Sequence, residues 1–88
     1  MLEIVIKKSF QKDYDRLLLN GFDDTPLQEV IVRLQTNNPL PQKYKNHQLK
    51  GIYKDFKECH IKPDILLLYQ IKDCKLFLIR LGSHSDLF

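Results

Sequence analysis

The 88-residue chain is long enough for one folded domain, predicted to span residues 1–88, and too short for a second hydrophobic core. Its hydrophobic content of 43% excludes a disordered polypeptide. No apolar run approaches the roughly 18 residues of a membrane span, and residues 1–10 lack the form of a signal peptide. We therefore expect a cytoplasmic protein without a membrane partner. The formal net charge of +3 is modest, and the placement of the charges along the chain is more informative than their sum.

The N-terminal residues predict a strand that leads into a helix. Residues 2–7 (LEIVIK) alternate between two faces, which is typical of a strand with one face on a core. Ser9 is then a candidate N-cap for a helix over residues 10–20, where apolar residues recur at helical spacing. Asn20 and Gly21 supply a left-handed stop at its end.

A second helix is predicted after a short break. Thr25 is the expected N-cap, Pro26 takes the first helical position, and Gln28 completes a Thr-x-x-Gln capping box. Residues 37–39 (NNP) end the helix. The two helices should therefore form a helical hairpin.

The second half of the chain changes to strands. Residues 39–48 contain two prolines and no periodicity, which predicts a loop. Residues 56–61 alternate as in a strand, and residues 65–71 (ILLLYQI) form a continuous apolar run typical of a strand covered on both faces. A last strand is predicted over residues 76–81. The order indicates an α+β fold, in which the N-terminal strand and helical hairpin pack on a mostly antiparallel sheet.

Positive charge is concentrated in the half of the chain that forms the sheet. Residues 1–42 carry five Lys/Arg against six Asp/Glu, a net −1, whereas residues 43–88 carry nine against five, a net +4. The three histidines, His47, His60 and His84, also lie in this basic half. A polyanion is a plausible partner for it, although on charge alone a solvated lysine-rich surface is the simpler explanation.

The two cysteines do not indicate a disulfide framework or a metal site. Cys59 and Cys74 are expected to be free thiols in a reducing compartment. A metal site assembled from these cysteines and the three histidines is the alternative, but the sequence has no CxxC, HxH or HExxH spacing to favour it. No metal and no other cofactor is therefore predicted.

Strand alternation sorts the side chains of the last strand onto two faces. Phe77, Ile79 and Leu81 are predicted to meet the helices. Arg80 then points away from the helices, and His84 continues on that side if the chain stays extended. Reactive side chains near the C-terminus could thus gather on the face opposite the helical hairpin.

Glu58 and His60 also share one face of their strand. If that face is the one that carries Arg80 and His84, a cleft there would combine a carboxylate, two imidazoles and a guanidinium under a lysine-rich rim. This set suits metal-free RNA cleavage, which needs a base for the ribose 2′-OH, an acid for the leaving 5′-oxygen and cations for the phosphate. A terminal aromatic residue such as Phe88 can stack on a base.

Each of these residues also has a purely structural explanation. A histidine in a strand is more often a structural hydrogen-bonding group than a catalyst, and Glu58 could pair with Arg80 across the sheet. Asp64 follows Pro63 and is a natural turn residue. Phe88 could simply fill a hydrophobic corner.

Three separated segments resemble the YafQ branch of the RelE/ParE toxin superfamily. HQLKG (47–51), ECHIKPDILLLY (58–69) and RLGSHSDLF (80–88) match its H-x-L-x-G motif, its C/A-H-[IV]-x-P-D motif before an apolar strand ending in Tyr, and its terminal G-[ST]-H-x-x-L-F motif. The opening KKSFQKD and the helical hairpin also fit, so the resemblance covers the whole chain.

The resemblance implies a RelE-like toxin with a helical hairpin on a strongly twisted sheet. It implies a metal-independent endoribonuclease that cuts mRNA at the ribosome and is held inactive by a cognate antitoxin. Carried over by position, the catalytic set is His47, His60, Asp64, His84 and Phe88. The auxiliary, phosphate-binding set is Glu58, Arg80, Lys50 and Lys54.

The resemblance also implies roles for these residues. His84 would be a general acid or base, while Asp64 and His60 would share the other proton role or orient the substrate. His47 would contact phosphate or tune the site. Arg80 would stabilise the transition state, and Phe88 would position a base.

One position departs from the family pattern, and two other functions remain open. Ile65 stands where YafQ-like proteins often carry Trp, which removes a stacking contact. A non-catalytic ParE-like toxin with a protein target and a plain RNA-binding module are the alternatives. ParE-like chains lack this histidine set, so His47, His60 and His84 favour the nuclease.

Overall fold

Five strands and three helices make up the fold in the computed structural model, which describes all residues from Met1 to Phe88. No helix in it is both long and apolar enough to cross a bilayer. The strands are β1 (Glu3–Ile6), β2 (His47–Gln48), β3 (Lys57–Lys62), β4 (Ile65–Lys72) and β5 (Lys75–Gly82). The helices are α1 (Lys8–Leu19), α2 (Thr25–Gln35) and α3 (His84–Leu87).

The strands form one open sheet in the order β1-β5-β4-β3-β2. The first strand pairs in parallel with the last, and every other pairing is antiparallel. The predicted α+β fold with a mostly antiparallel sheet is therefore confirmed. After β1, helices α1 and α2 carry the chain across to the opposite edge of the sheet, where β2 lies. The chain then comes back strand by strand until β5 pairs in parallel with β1, which makes the sheet mixed.

The core lies on both faces of β4, as its continuous apolar run predicts. On one face Leu67 and Tyr69 pack in the main cluster with Phe10 of α1 and Val30 of α2. On the other face Leu66 and Leu68 form a smaller cluster, closed by Leu87 of α3. The C-terminal helix is thus anchored on the face opposite the helical hairpin.

Both predicted N-caps are displaced. Lys7 is the N-cap of α1, and Ser9 lies inside the helix, where its hydroxyl donates to the carbonyl oxygen of Ile79 at 2.6 Å. In α2 the N-cap is Asp24, and Thr25 is the first helical residue. The Thr25 hydroxyl donates to Asp23 at 2.8 Å rather than accepting within a capping box. In both cases the hydroxyl donates a hydrogen bond to an oxygen outside the predicted cap instead of accepting one from a helical N–H.

The predicted loop over residues 39–48 contains regular structure. A 3₁₀ turn spans Gln42–Tyr44 and the two-residue strand β2 follows it. The prediction of an irregular loop was wrong here, because segments of two or three residues are too short to show periodicity.

The predicted faces of the last strand are wrong for two of three residues. Leu81 packs in the main core, but its companions there are Leu76 and Leu78 rather than Phe77 and Ile79. The pairing of β4 with β5 slips between Leu68 and Tyr69, so that one extra β5 residue, Ile79, is accommodated as a bulge. A bulge inverts the alternation on one side of it, which a period-2 reading cannot anticipate.

Candidate active site

Glu58 lies between two imidazoles at the edge of the sheet. The short pairing of β2 with β3 sets His47 opposite Glu58, and alternation along β3 puts His60 on the same face. Glu58 is only 5% exposed. Its Oε1 atom lies 3.4 Å from Nε2 of His47 and 3.7 Å from Nε2 of His60. The predicted common face of Glu58 and His60 is confirmed, and it is the face opposite the helical hairpin.

His47 is held by its own loop. Its Nδ1 atom lies 2.8 Å from the carbonyl oxygen of Lys45, and a carbonyl can only accept, so Nδ1 carries a proton. Its Nε2 atom then donates to Glu58 only as an imidazolium. Lys45 has a left-handed backbone (φ 47°), and the next residue, Asn46, accepts a hydrogen bond from the buried hydroxyl of Tyr69. The core thereby fixes the loop that presents His47.

One open cleft of about 640 Å³ brings the other predicted proton-transfer groups together. Glu58, His60, Asp64 and His84 all line it. A register shift between His60 and Lys62 and the turn before β4 present Asp64, while the first residue of α3 presents His84. We call this space the catalytic cleft, after the role that is proposed for it below. His47 borders it through its contact with Glu58.

The C-terminal segment is ordered by local capping and by one buried side chain. Ser83 is the N-cap of α3: its hydroxyl accepts from the backbone N–H of Asp86 at 3.2 Å, and the Asp86 carboxylate accepts from the N–H of Ser83 at 3.3 Å. Hydrogen bonding of the Asp86 carboxylate to the Ser83 side chain, and then to the Ser83 backbone N–H, lowers the pKa of Asp86 below its ordinary value. Leu87 packs on Leu66 and Leu68. The tail is therefore a helix rather than the extended continuation of β5, and His84 is fixed at its start.

Phe88 is positioned by an aromatic side chain that the sequence did not single out. Phe88 is 42% exposed, and its ring centroid lies 5.0 Å from that of His84 and 5.0 Å from that of Tyr53, which it meets edge-on. Tyr53 ends a 3₁₀ turn that starts at Gly51. The only sequence signal is an aromatic residue two positions after the H-x-L-x-G motif. The three rings form one wall beside the catalytic cleft.

Arg80 is not free for a phosphate in the catalytic cleft. Its Nε atom donates to Asp13 Oδ2 at 2.7 Å and its Nη2 atom to Oδ1 at 3.3 Å, and this carboxylate raises the pKa of Arg80. Arg80 does not line the cleft, and the alternative prediction of an Arg80–Glu58 ion pair is wrong. β1 ends at Ile6, so the edge of β5 beyond Leu78 has no neighbouring strand, and Asp13 of α1 takes that place.

The two predicted phosphate-binding lysines also lie outside the catalytic cleft. Lys50 and Lys54 flank the 3₁₀ turn that carries Tyr53, and both side chains are exposed. The carbonyl oxygen of Lys54 accepts a hydrogen bond from the side chain of Gln48. Their ammonium groups belong to the outer surface of this loop.

The comparison with protein families decides the assignment. The family model described as the bacterial toxin of the type II toxin-antitoxin system, YafQ, matches residues 2–88. The chain belongs to the YafQ family. The sequence-based assignment to the YafQ-like mRNA interferase toxins is thereby confirmed.

YafQ relatives cover the whole chain. The mRNA interferase toxin YafQ of Escherichia coli (strain B / BL21-DE3) is 33% identical over 88 residues, which span 98% of this chain and 95% of that protein. The crystal structure of a copper-bound mutant toxin from Helicobacter pylori has a TM-score of 0.98 at 59% identity, with 100% of both chains covered. The crystal structure of the E. coli DinJ-YafQ complex matches with a TM-score of 0.92 at 31% identity, over 100% of this chain and 99% of that one.

The donor atoms of His47, Glu58 and His60 face one another beside the catalytic cleft. No group of three or more His, Cys, Asp or Glu side chains has its donor atoms placed to hold one ion. His47 and His60 direct their Nε2 atoms at the Glu58 carboxylate. Cys59 lies on the opposite face, fully buried, and burial raises the pKa of its thiol to about 12, which disfavours the thiolate that metals require.

Proposed function

We propose that this YafQ-family toxin cleaves mRNA during translation by proton transfer between side chains, without a metal ion. The observation that carries the proposal is the catalytic cleft, in which His60 and Asp64 face the same space as His84. Two separate elements thus supply ionisable groups to one site: the β3–β4 turn on one side and the start of α3 on the other. That arrangement is what a reaction with one base and one acid requires.

The proposed reaction is attack by the ribose 2′-oxygen on the adjacent phosphorus. A base removes the 2′-OH proton as the new P–O bond forms, and an acid protonates the 5′-oxygen as the old P–O bond breaks. The products are a 2′,3′-cyclic phosphate and a 5′-hydroxyl. His84 takes one proton role from α3, and His60 with Asp64 takes the other from the β3–β4 turn.

The groups around the catalytic cleft support the charge and position of the substrate. His47 donates from Nδ1 to the carbonyl oxygen of Lys45 and holds its Nε2 atom 3.4 Å from Glu58 Oε1, which places an imidazole at the rim of the cleft. The exposed ring of Phe88 offers a face on which a base can stack. Because Arg80 is committed to Asp13, transition-state stabilisation falls on His47 and on whichever of His60 and His84 is protonated.

An antitoxin is the proposed protein partner. The E. coli relative forms the DinJ-YafQ complex, and this chain matches its toxin over its full length. A partner that covers the catalytic cleft or the exposed ring of Phe88 would block access of mRNA. The proposed control of activity is therefore direct masking of the site.

The test is cleavage of a defined mRNA by purified protein in excess EDTA, once with free RNA and once on translating ribosomes. We expect cleavage products that end in a 2′,3′-cyclic phosphate and that still form in the presence of EDTA. Cleavage only of ribosome-bound mRNA would mean that the ribosome supplies part of the active site. Loss of cutting in EDTA would overturn the metal-free mechanism. Absence of cutting in both settings would overturn the nuclease and favour a protein-directed toxin.

Tyr53 should matter through its ring rather than its hydroxyl. Replacing Tyr53 by alanine removes the edge-on contact with Phe88, and we expect the rate of mRNA cleavage to fall about 2- to 10-fold because edge-to-face contacts contribute about 0.5–1.5 kcal/mol. Tyr53→Phe keeps the ring and should retain the wild-type rate. Measuring kcat and KM for both variants checks this, and equal rates for the alanine variant and wild type would show that Phe88 is positioned without Tyr53.

A further inference from the structure

A second groove continues from the catalytic cleft along the open edge of β3. β2 pairs only with Lys57 and Glu58, so the remainder of β3 has no neighbouring strand on the side away from β4. The groove between this edge and the start of α2 has a volume of about 510 Å³. That volume falls in the usual range for small-molecule sites.

The groove and the catalytic cleft are joined at two residues. His60 and Pro63 line both, so His60 stands at the boundary between them. A chain bound across the catalytic cleft can therefore extend past His60 into the groove without leaving the protein surface.

The groove has an apolar floor and a basic rim. Pro26, Ile61 and Pro63 supply aliphatic surface. Three lysines stand on its rim: Lys43, Lys45 and Lys62. This composition suits a nucleotide, whose base and ribose can rest on aliphatic surface while its phosphates meet ammonium groups.

The three ammonium groups are available to an anion. No lysine in the structure forms a salt bridge. Lys62 lies 5.0 Å over the ring of Phe22 and Lys43 lies 5.1 Å over the ring of Tyr44, and these cation–π contacts hold the charges near the groove.

One carboxylate faces the same groove and is already engaged. Glu29 accepts hydrogen bonds from the hydroxyl of Tyr44 at 2.6 Å and from Nε of Arg33 at 3.3 Å. Counting the groove's own residues, three lysines against Glu29 leave a net charge of +2. The groove is therefore electropositive as well as continuous with the catalytic cleft.

We propose that this groove binds the RNA backbone beside the scissile phosphate, with Lys43, Lys45 and Lys62 contacting phosphates and the apolar floor receiving the neighbouring nucleotide. The inference rests on the proposed nuclease function and extends it to a substrate subsite. The sequence-based set placed Lys50 and Lys54 at phosphates, whereas the lysines that border the path from His60 are these three.

The test compares two triple variants that remove the same charge. The groove variant is Lys43→Ala/Lys45→Ala/Lys62→Ala, and the control variant is Lys12→Ala/Lys72→Ala/Lys75→Ala, whose lysines are exposed on α1 and at the β4–β5 turn. The probe is a single-stranded RNA with 2′-O-methyl riboses, which cannot be cleaved. Its Kd is measured over a series of salt concentrations, with circular dichroism confirming the fold.

Loss of three phosphate contacts should make the negative slope of log binding constant against log salt concentration less steep by about 2, because each contact on a single strand contributes about 0.7. We expect this in the groove variant alone, with recovery when the same positions carry arginine, and a raised KM with little change in kcat for cleavage. Equal slopes in the groove and control variants would overturn the inference. If wild type fails to cut RNA but the groove-specific slope change is found, the nuclease proposal fails while the binding site stands.

Discussion

Replacing His84 by alanine should reduce the rate of mRNA cleavage by at least about 100-fold while leaving the protein folded. General acid or base catalysis by a positioned side chain contributes about 10²–10⁴-fold, and His84 is the only histidine in the catalytic cleft that enters from α3. Its side chain is exposed, and the helix is held instead by Ser83, Asp86 and Leu87. Single-turnover cleavage rates and thermal unfolding of both proteins measure the two effects separately.

His84→Gln separates proton transfer from hydrogen bonding. Glutamine keeps a polar side chain at the start of α3 but does not titrate, so it should be nearly as inactive as alanine. In wild type the pH dependence of kcat/KM should show a limb that disappears in both variants. If either variant keeps more than a tenth of the wild-type rate, His84 is not the acid or base, and His60 with Asp64 must carry both roles.

Much of the site could be predicted from sequence because its residues lie in short motifs. Alternation placed Glu58 and His60 on one face, and the C-terminal motif indicated His84 and Phe88 together. The ILLLYQI run predicted a strand buried on both faces, which is what presents α3 on the side away from the hairpin. These features depend on residues close together in the chain, where the spacing of apolar and polar residues follows the repeat of the strand or helix that they form.

The features that were missed depend on long-range pairing. The bulge in β5 reverses which side chains meet the helices, and it is a property of two strands rather than of one. The partner of Arg80 is Asp13, which lies 67 residues earlier in the chain. Tyr53 meets Phe88 only because a 3₁₀ turn and the C-terminal helix fold onto the same edge. No local periodicity contains this information.

The Asp13 carboxylate accepts hydrogen bonds at the edge of β5 where β1 has ended and no strand pairs with it. Asp13 is 3% exposed, accepts the backbone N–H of Leu81 at 3.0 Å, and pairs with Arg80. Arg16 adds a longer contact at 3.4 Å. Leu81 is followed directly by Gly82 and the cap of α3, so this carboxylate also fixes the approach of the chain to the catalytic cleft.

Asp13→Ala should therefore destabilise the fold by about 3 kcal/mol, since removing one partner of a buried ion pair typically costs about 3–5 kcal/mol and Arg80 is partly solvated. For a domain of this size that corresponds to a fall in Tm of roughly 12–24 °C. Asp13→Asn keeps an acceptor for the Leu81 amide and should lose less than half as much. Asp15→Asn is the matched control on the same helix, because Asp15 is exposed and its side chain accepts a hydrogen bond only from the side chain of Gln11.

A double-mutant cycle with Arg80→Ala assigns the loss to the pair or to the strand edge. If the ion pair dominates, the double variant should be little less stable than Asp13→Ala alone, because the unpaired guanidinium has been removed with its partner. If the unpaired Leu81 amide dominates, the Asp13→Ala loss should be the same in both backgrounds, and hydrogen exchange at that amide should accelerate. A loss below about 1 kcal/mol for Asp13→Ala would show that water satisfies the β5 edge, and the carboxylate would then have no structural role in presenting His84.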